Sequence, residues 1–174
     1  MIETSILIIG SIGIVWISIP SLRQPGSHGF YRFFAWEIIL GMFVLNLRGW
    51  FANPFSWYQV ISWILLIGSL VPVIYGVILL RSLGKPTDQL EATTQLVTKG
   101  IYRLIRHPLY ASLLYLAWGL FFKSPSLLEG CLVVVCSAFL YATARADEAE
   151  CVAKFGKEYI DYMGKTKLFI PFIF

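Results

Sequence analysis

The 174-residue chain is 57% hydrophobic and only 14% charged, whereas a soluble domain carries about 25% charged residues. This length suits one domain, and so much apolar surface excludes an ordinary soluble one because it has to be hidden from water. The net charge of +4 could indicate a nucleic-acid partner. However, the cations lie between apolar blocks rather than on a basic aromatic surface, so we predict an integral membrane protein and no nucleic-acid partner.

Apolar blocks long enough to cross a bilayer follow one another along the chain. They predict an all-α polytopic membrane bundle, a single domain of about five spans at residues 2–19, 33–47, 57–80, 108–122 and 127–143. The first block lacks a basic leader and a clear cleavage site, so we interpret it as a membrane helix rather than a signal peptide. Lys123-Ser124-Pro125-Ser126 interrupts the last apolar stretch. Spans four and five are therefore predicted to form a helical hairpin.

The distribution of basic residues predicts the orientation of these spans. With five spans and the N-terminus outside, 12 of the 14 Lys and Arg residues fall on the inner side, as the positive-inside rule requires. The polar segments 81–107 and 145–174 then share the cytoplasmic face, which would be that of the inner membrane in a prokaryote. Neither the three cysteines nor the two histidines have the spacing of a metal site, so we expect no metal.

The first polar segment contains a candidate anion site. Pro108 suits the first position of a helix, because its missing N–H would be unpaired there. Arg106 and His107 would then lie at the positive N-terminal end of the fourth span. Free backbone amides and two side-chain donors at such a position can bind a carboxylate of a cofactor or a substrate.

The second polar segment, from Arg145 to Tyr162, is predicted to be a cytoplasmic amphipathic helix. At helical spacing, Glu148 falls inside an aromatic stripe that includes Phe155 and Tyr159. A carboxylate on an apolar face is costly unless it is paired. Arg145, three residues earlier, is within reach as a partner. Glu148 is therefore the strongest single candidate for a functional residue.

Taken together, these segments resemble a known family. The pattern LVTKGIYRLIRHPLY at 96–110 is followed by a helical hairpin, by R-A-D-E at 145–148 and by FGKEYIDY at 155–162. This order resembles the isoprenylcysteine carboxyl methyltransferases, integral membrane enzymes related to phospholipid N-methyltransferase-like proteins. The similarity covers roughly residues 81–172, and the motifs are specific in combination.

The resemblance implies S-adenosyl-L-methionine as the cofactor and gives roles to particular residues. His107 and Glu148 would hold the carboxylate and the ammonium of its methionine part. Arg106 and Arg145 would act beside Glu148 in the catalytic site by orienting an anionic group of the substrate. The remaining residues of the cofactor site would contact the adenosyl part or pack beside it: Leu96, Val97, Gly100, Tyr102 and Tyr110.

The predicted function is methyl transfer to a lipid-like or prenylated acceptor at the cytoplasmic membrane face, with O-methylation of an isoprenylcysteine-like carboxylate as the leading reading. A phospholipid amine and a small hydrophobic thiol stay open as acceptors. An NADPH-dependent membrane reductase is an alternative from another class, but only Lys85, Lys99 and Arg103 are spare for its phosphates. A non-enzymatic membrane scaffold would explain the spans but not the position of Glu148.

Overall fold

A computed structural model describes residues 1–85 and 93–173 of the chain. These residues form six α-helices, which we number α1 (Ile2–Leu22), α2 (His28–Asn46), α3 (Trp57–Leu79), α4 (Pro108–Phe121), α5 (Leu127–Phe155) and α6 (Lys157–Met163). The predicted all-α membrane bundle is confirmed. Two parts of the predicted cytoplasmic segments, residues 86–92 and residue 174, lie outside the described residues.

Four described helices are long and apolar enough to cross a membrane: Ile2–Leu22, His28–Gly49, Trp57–Gly84 and Leu127–Phe155. The predicted fourth span, residues 108–122, corresponds to α4, whose 14 residues are fewer than the roughly 20 that a full crossing needs. The predicted hairpin break is in the right place. Helix α4 ends at Phe121 and α5 begins at Leu127, on either side of Pro125.

The prediction of a separate amphipathic helix starting near Arg145 is wrong. Helix α5 has 29 residues and runs through that point to Phe155. It is not interrupted because the sequence from Thr143 to Phe155 contains no Gly or Pro. It ends at Gly156, whose φ of +58° is a left-handed conformation that glycine adopts without strain. Glu148 therefore belongs to a long apolar helix rather than to a surface helix.

The chain divides into two compact units, and the first comprises Met1–Ile67 and Leu114–Asp147. Lys123 lies in its interior, with 2% of the residue exposed. Its ammonium donates to Gln59 Oε1 at 2.9 Å and lies 3.6 Å from the centre of the Trp63 ring. The Gln59 amide donates back to the Lys123 carbonyl at 2.9 Å. Lys123 is one of the two cations that the predicted orientation leaves on the outer side. Its buried contacts link the α4–α5 turn to α3.

Two other polar pairs join helices within the first unit. Asn46 Nδ2 donates to Glu129 Oε1 at 3.0 Å, and both side chains are buried. Ser11 donates to Glu37 Oε2 at 2.7 Å, which links α1 to α2. Buried polar groups in apolar surroundings need such partners, so these hydrogen bonds fix how the apolar helices pair.

The second unit comprises Gly68–Leu113 and Glu148–Phe174. Its apolar core contains Leu80, Val97 and Tyr102. Gly100 begins a short 3-10 turn, Gly100–Arg103, with φ at +60°, and an added Cβ would lie 2.6 Å from the end of the Leu79 side chain, which would have to shift. Glycine is thus favoured at this position mainly by its left-handed backbone conformation.

An isolated parallel bridge between Ile105 and Lys167 brings the end of the second unit back to the start of α4. Arg106 N donates to the Lys167 carbonyl at 2.8 Å, and Lys167 N donates to the Leu104 carbonyl at 3.1 Å. The segment before α4 and the segment after α6 are therefore held side by side by backbone hydrogen bonds.

Candidate functional site

A buried ionic cluster lies in the second unit. Arg106 Nε donates to Glu148 Oε1 at 2.6 Å, and His107 Nε2 lies 3.7 Å from the same oxygen. The exposed fractions of the three side chains are 12% for Arg106, 4% for His107 and 3% for Glu148. Three of the residues predicted for the site are thus brought together, although two of them are adjacent in sequence and the third is more than 40 positions away.

The Arg106 guanidinium also holds the segment that follows α6. Its Nη1 donates to the Thr166 carbonyl and, at 3.4 Å, to the Met163 carbonyl. A cation beside the last carbonyls of a helix is favourable because those carbonyls lack helical partners. Arg106 therefore joins the buried acid to the end of α6, and in this arrangement its planar fork is engaged within the protein.

His107 is fixed by the start of α4 and by aromatic neighbours. The helix begins at Pro108, as the sequence predicted, and the His107 carbonyl accepts its first turn's hydrogen bond from Ala111 N at 2.9 Å. The imidazole stacks on Tyr110 with 5.4 Å between ring centres. Phe169 meets it edge-on at 6.5 Å. These contacts orient the ring beside Glu148.

The aromatic stripe predicted around Glu148 is partly buried, with Phe155 half-buried, and Gly156 divides it between two helices. Tyr159 and Tyr162 are almost wholly inaccessible, while Glu150 on the opposite side is exposed. Tyr162 donates from its hydroxyl to the Tyr102 carbonyl at 2.6 Å. Burial raises the pKa of Tyr162, with Arg106 acting in the opposite direction, so the hydroxyl keeps its proton and remains a donor.

A cavity of about 660 Å³ opens on the same unit, within the range of roughly 300–1,000 Å³ that is usual for ligand sites. Its lining is Leu96, Thr98, Arg103, Glu158, Asp161, Tyr162, Lys165 and Thr166. Of the residues predicted for the adenosyl part, Leu96 faces this cavity, whereas Val97 and Tyr102 are packed in the core. Gly100 shapes the turn between them. Their predicted roles in cofactor binding stay predictions.

Arg145 is placed differently from the other predicted catalytic residues. It is exposed on α5, three positions before Glu148, and belongs to the first unit. Glu148 forms an ion pair with Arg106, a partner that helical spacing did not suggest. Nothing in local periodicity indicates a partner 42 positions away, and the same holds for the carbonyls of Met163 and Thr166.

Among the described residues of the second unit, exposed basic residues outnumber exposed acids. Among its described residues, three acids are exposed, namely Glu150, Glu158 and Asp161. Eight basic residues are exposed, namely Arg81, Lys85, Lys99, Arg103, Lys154, Lys157, Lys165 and Lys167. Such a surface favours the approach of anions.

Bilayer-length apolar helices together with a buried Arg–His–Glu cluster define an integral membrane protein with a candidate binding site at the start of α4. The family model described as phospholipid methyltransferase matches residues 57–158, well over half of the chain and the whole of that cluster. The chain therefore belongs to this family of integral membrane methyltransferases, which includes the isoprenylcysteine carboxyl methyltransferases. No curated protein matches the chain at a significant level.

Family membership establishes the general activity. Methyltransferases of this family generally use S-adenosylmethionine, and membership supports a membrane methyltransferase of this general type. This membership favours methyl transfer over the reductase and the scaffold that the sequence alone left open.

Proposed function

We propose that the chain transfers a methyl group from S-adenosylmethionine to the carboxylate of a lipid-like, isoprenylcysteine-type acceptor at the cytoplasmic membrane face. The observation that carries the proposal is the buried cluster of Arg106, His107 and Glu148, within the part of the chain that the family covers. Burying three such groups is costly, and a binding role explains why they are placed together.

The donors and acceptors of the cluster fit the cofactor's methionine part, which carries an ammonium and a carboxylate. Glu148 would attract the ammonium, and His107 would donate to the carboxylate. Arg106 would hold Glu148 in position through the 2.6 Å contact between them. The cofactor, when bound, supplies a methyl group on a positively charged sulfur. The residues around it would exclude water and orient the acceptor.

The positive surface of the second unit supports an anionic acceptor. Guanidinium and ammonium groups attract a carboxylate and disfavour a charged amine. A carboxylate also reacts without a general base, so the site needs only position and charge. Arg145, which is exposed, is the cation proposed to orient the acceptor, while the Arg106 guanidinium holds Glu148 and the segment after α6.

A phospholipid amine is the second candidate acceptor. The family's description supports it, and so do Glu158 and Asp161, which line the cavity and would stabilise an ammonium group. An amine has to lose a proton before it is methylated, and His107 or Glu148 would be the base in that case.

Calorimetric titration of the detergent-solubilised protein tests the cofactor. We expect S-adenosylhomocysteine to bind and NADPH not to bind. Binding of NADPH alone would support the reductase, and binding of neither would favour the scaffold.

A radiolabelled methyl-transfer assay tests the acceptor. We expect label in prenylcysteine analogues, and the panel also includes fatty acids, hydrophobic thiols and phosphatidylethanolamine. Robust labelling of phosphatidylethanolamine with none of any anionic acceptor would overturn the carboxylate assignment and leave methyl transfer intact.

A topology reporter tests the membrane face. A reporter fused after Phe174 that is active only outside the cytoplasm would contradict the proposed orientation.

A further inference from the structure

The segment after α6 holds two exposed lysines on a fixed backbone. Lys165 N donates to the Tyr162 carbonyl at 3.1 Å, and the Lys167 backbone donates to and accepts from the segment before α4. Both lysine side chains are exposed. Because the backbone is already ordered, a ligand bound by these ammonium groups would cost less conformational entropy than one bound by a mobile tail.

Exposed apolar side chains accompany these lysines. Leu104, whose carbonyl accepts from Lys167 N, is 41% exposed, and Phe172 and Ile173 are 82% and 76% exposed. Phe169, three residues before Phe172, is buried against His107. The buried ring anchors the segment, and Phe172 and Ile173 follow it by three and four positions. We name Leu104, Lys165, Lys167, Phe172 and Ile173 the basic apolar patch.

The basic apolar patch adjoins the end of an apolar helix in its own unit. Leu104 lies four positions before α4. Helix α4 is apolar but shorter than a full crossing, and residues that flank such a helix at a membrane surface lie near the lipid headgroups, where cations meet phosphates and apolar side chains enter the acyl boundary. The exposed Phe172 and Ile173, close in sequence to Lys165 and Lys167, suit that boundary better than they would suit contact with a soluble partner.

We infer that the basic apolar patch binds the headgroups of anionic phospholipids. Lys165 and Lys167 contact the headgroup phosphate, and Leu104, Phe172 and Ile173 lie among the upper acyl chains. Lys165 also lines the cavity with two acids, Glu158 and Asp161, so Lys167 is the patch cation outside it. This lipid is a bound partner of the surface, and its binding does not require that it accept a methyl group.

The test is lipid selectivity in bilayers. Spin-labelled phosphatidylglycerol and phosphatidylcholine compete for the surface of the full-length protein, and their association ratio is read by electron paramagnetic resonance. We expect the protein to prefer phosphatidylglycerol, and the preference to fall about fivefold for each lysine removed in Lys167→Gln and Lys165→Gln/Lys167→Gln. It should also weaken as ionic strength rises.

The matched control is Lys154→Gln/Lys157→Gln, which removes the same charge from two other exposed lysines of the unit. Retained selectivity in this control supports the patch, whereas an equal loss in both double variants would show an effect of net charge and overturn it. Excess inorganic phosphate at matched ionic strength distinguishes a free anion, because displacement of the lipid by phosphate alone would also overturn the inference. Binding of S-adenosylhomocysteine, measured in parallel, separates failure of this inference from failure of the proposed methyl transfer.

Discussion

The two units stabilise a buried charge in different ways. In the first, the Lys123 ammonium is surrounded by neutral groups, namely the Gln59 oxygen, the Trp50 carbonyl and the Trp63 ring. In the second, Glu148 is paired with a full opposite charge on Arg106, and His107 lies close by. Both charges are equally inaccessible, with 2% of each residue exposed.

The difference separates a structural role from a binding role. Dipoles and aromatic faces that surround a lysine tie an inter-helix turn to its neighbours and offer nothing to an incoming ligand. A salt bridge between formal charges presents donors and an acceptor that a zwitterionic ligand can share or replace. The comparison therefore places the candidate for chemistry in the second unit.

The largest expected effect comes from removing one side of the ion pair. Arg106→Ala leaves the Glu148 carboxylate buried without its cation, and we expect the free energy of unfolding to fall by about 3–5 kcal/mol. Thermal and chemical unfolding followed by circular dichroism in detergent measures it. Arg103→Ala, at an exposed arginine of the preceding turn, should change stability by less than about 0.5 kcal/mol. Similar losses in both variants would contradict the structural importance of the pair.

The second expected effect concerns the cofactor. Glu148→Gln should weaken S-adenosylhomocysteine binding by about 1.5–3 kcal/mol, the scale of a hydrogen bond to a charged group. Isothermal titration calorimetry measures it. Glu150→Gln, on the exposed side of the same helix, is the matched control and should bind almost as the parent does. Equal weakening by the two substitutions would remove Glu148 from the proposed site.

The third prediction concerns the buried Lys123 of the first unit. Lys123→Met leaves the Gln59 oxygen buried without its donor and removes the cation from the Trp63 ring, so we expect a loss of about 2 kcal/mol in unfolding free energy. Affinity for S-adenosylhomocysteine should not change once the protein is folded. Lys154→Met, an exposed lysine on α5, provides the control for stability. A weaker cofactor affinity in Lys123→Met would contradict a purely structural role.

The smallest effect is expected at the neutral hydrogen bond of the second unit. Tyr162→Phe removes the donor from the Tyr102 carbonyl, and a typical buried hydrogen bond contributes about 1 kcal/mol. Tyr75→Phe, at an exposed tyrosine of α3, should have no measurable effect in the same unfolding assay. If Tyr162→Phe lowers the free energy of unfolding as much as Arg106→Ala does, the Arg106–Glu148 ion pair is not the main stabilising interaction of this unit.

Local sequence signals predicted much of this arrangement. The apolar blocks identify the helices, Pro125 marks the break between α4 and α5, and Pro108 marks the start of α4. Helical spacing also identified Glu148 as an acid on an apolar face, and the residue is indeed buried. Each of these features depends on neighbours within a few turns, which is the range that periodicity reports.

Features that depend on distant residues were missed. Spacing suggested Arg145 as a partner of Glu148 but gave no sign of the ion pair with Arg106, which folding brings in from another segment. Lys123 and Glu129 flank a turn between apolar stretches, where charged side chains usually reach water, yet both are buried and hydrogen-bond to Gln59 and Asn46. The boundary of α5 was also missed, since an acidic stretch lowers hydropathy without breaking a helix, and only Gly156 ends it.

Arg106 bonds to residues far along the chain, and this has a consequence for biogenesis. Its partners Glu148 and Thr166 lie 42 and 60 positions further along the chain. During synthesis, α4 is therefore made well before the groups that hydrogen-bond to Arg106. Closing loops of this length is entropically slow compared with forming a helix. The membrane helices can therefore insert first, and the ionic cluster matures as a late step. A nascent chain arrested before Glu148 would display Arg106 just before α4 without its acidic partner, open to capture by chaperones or proteases.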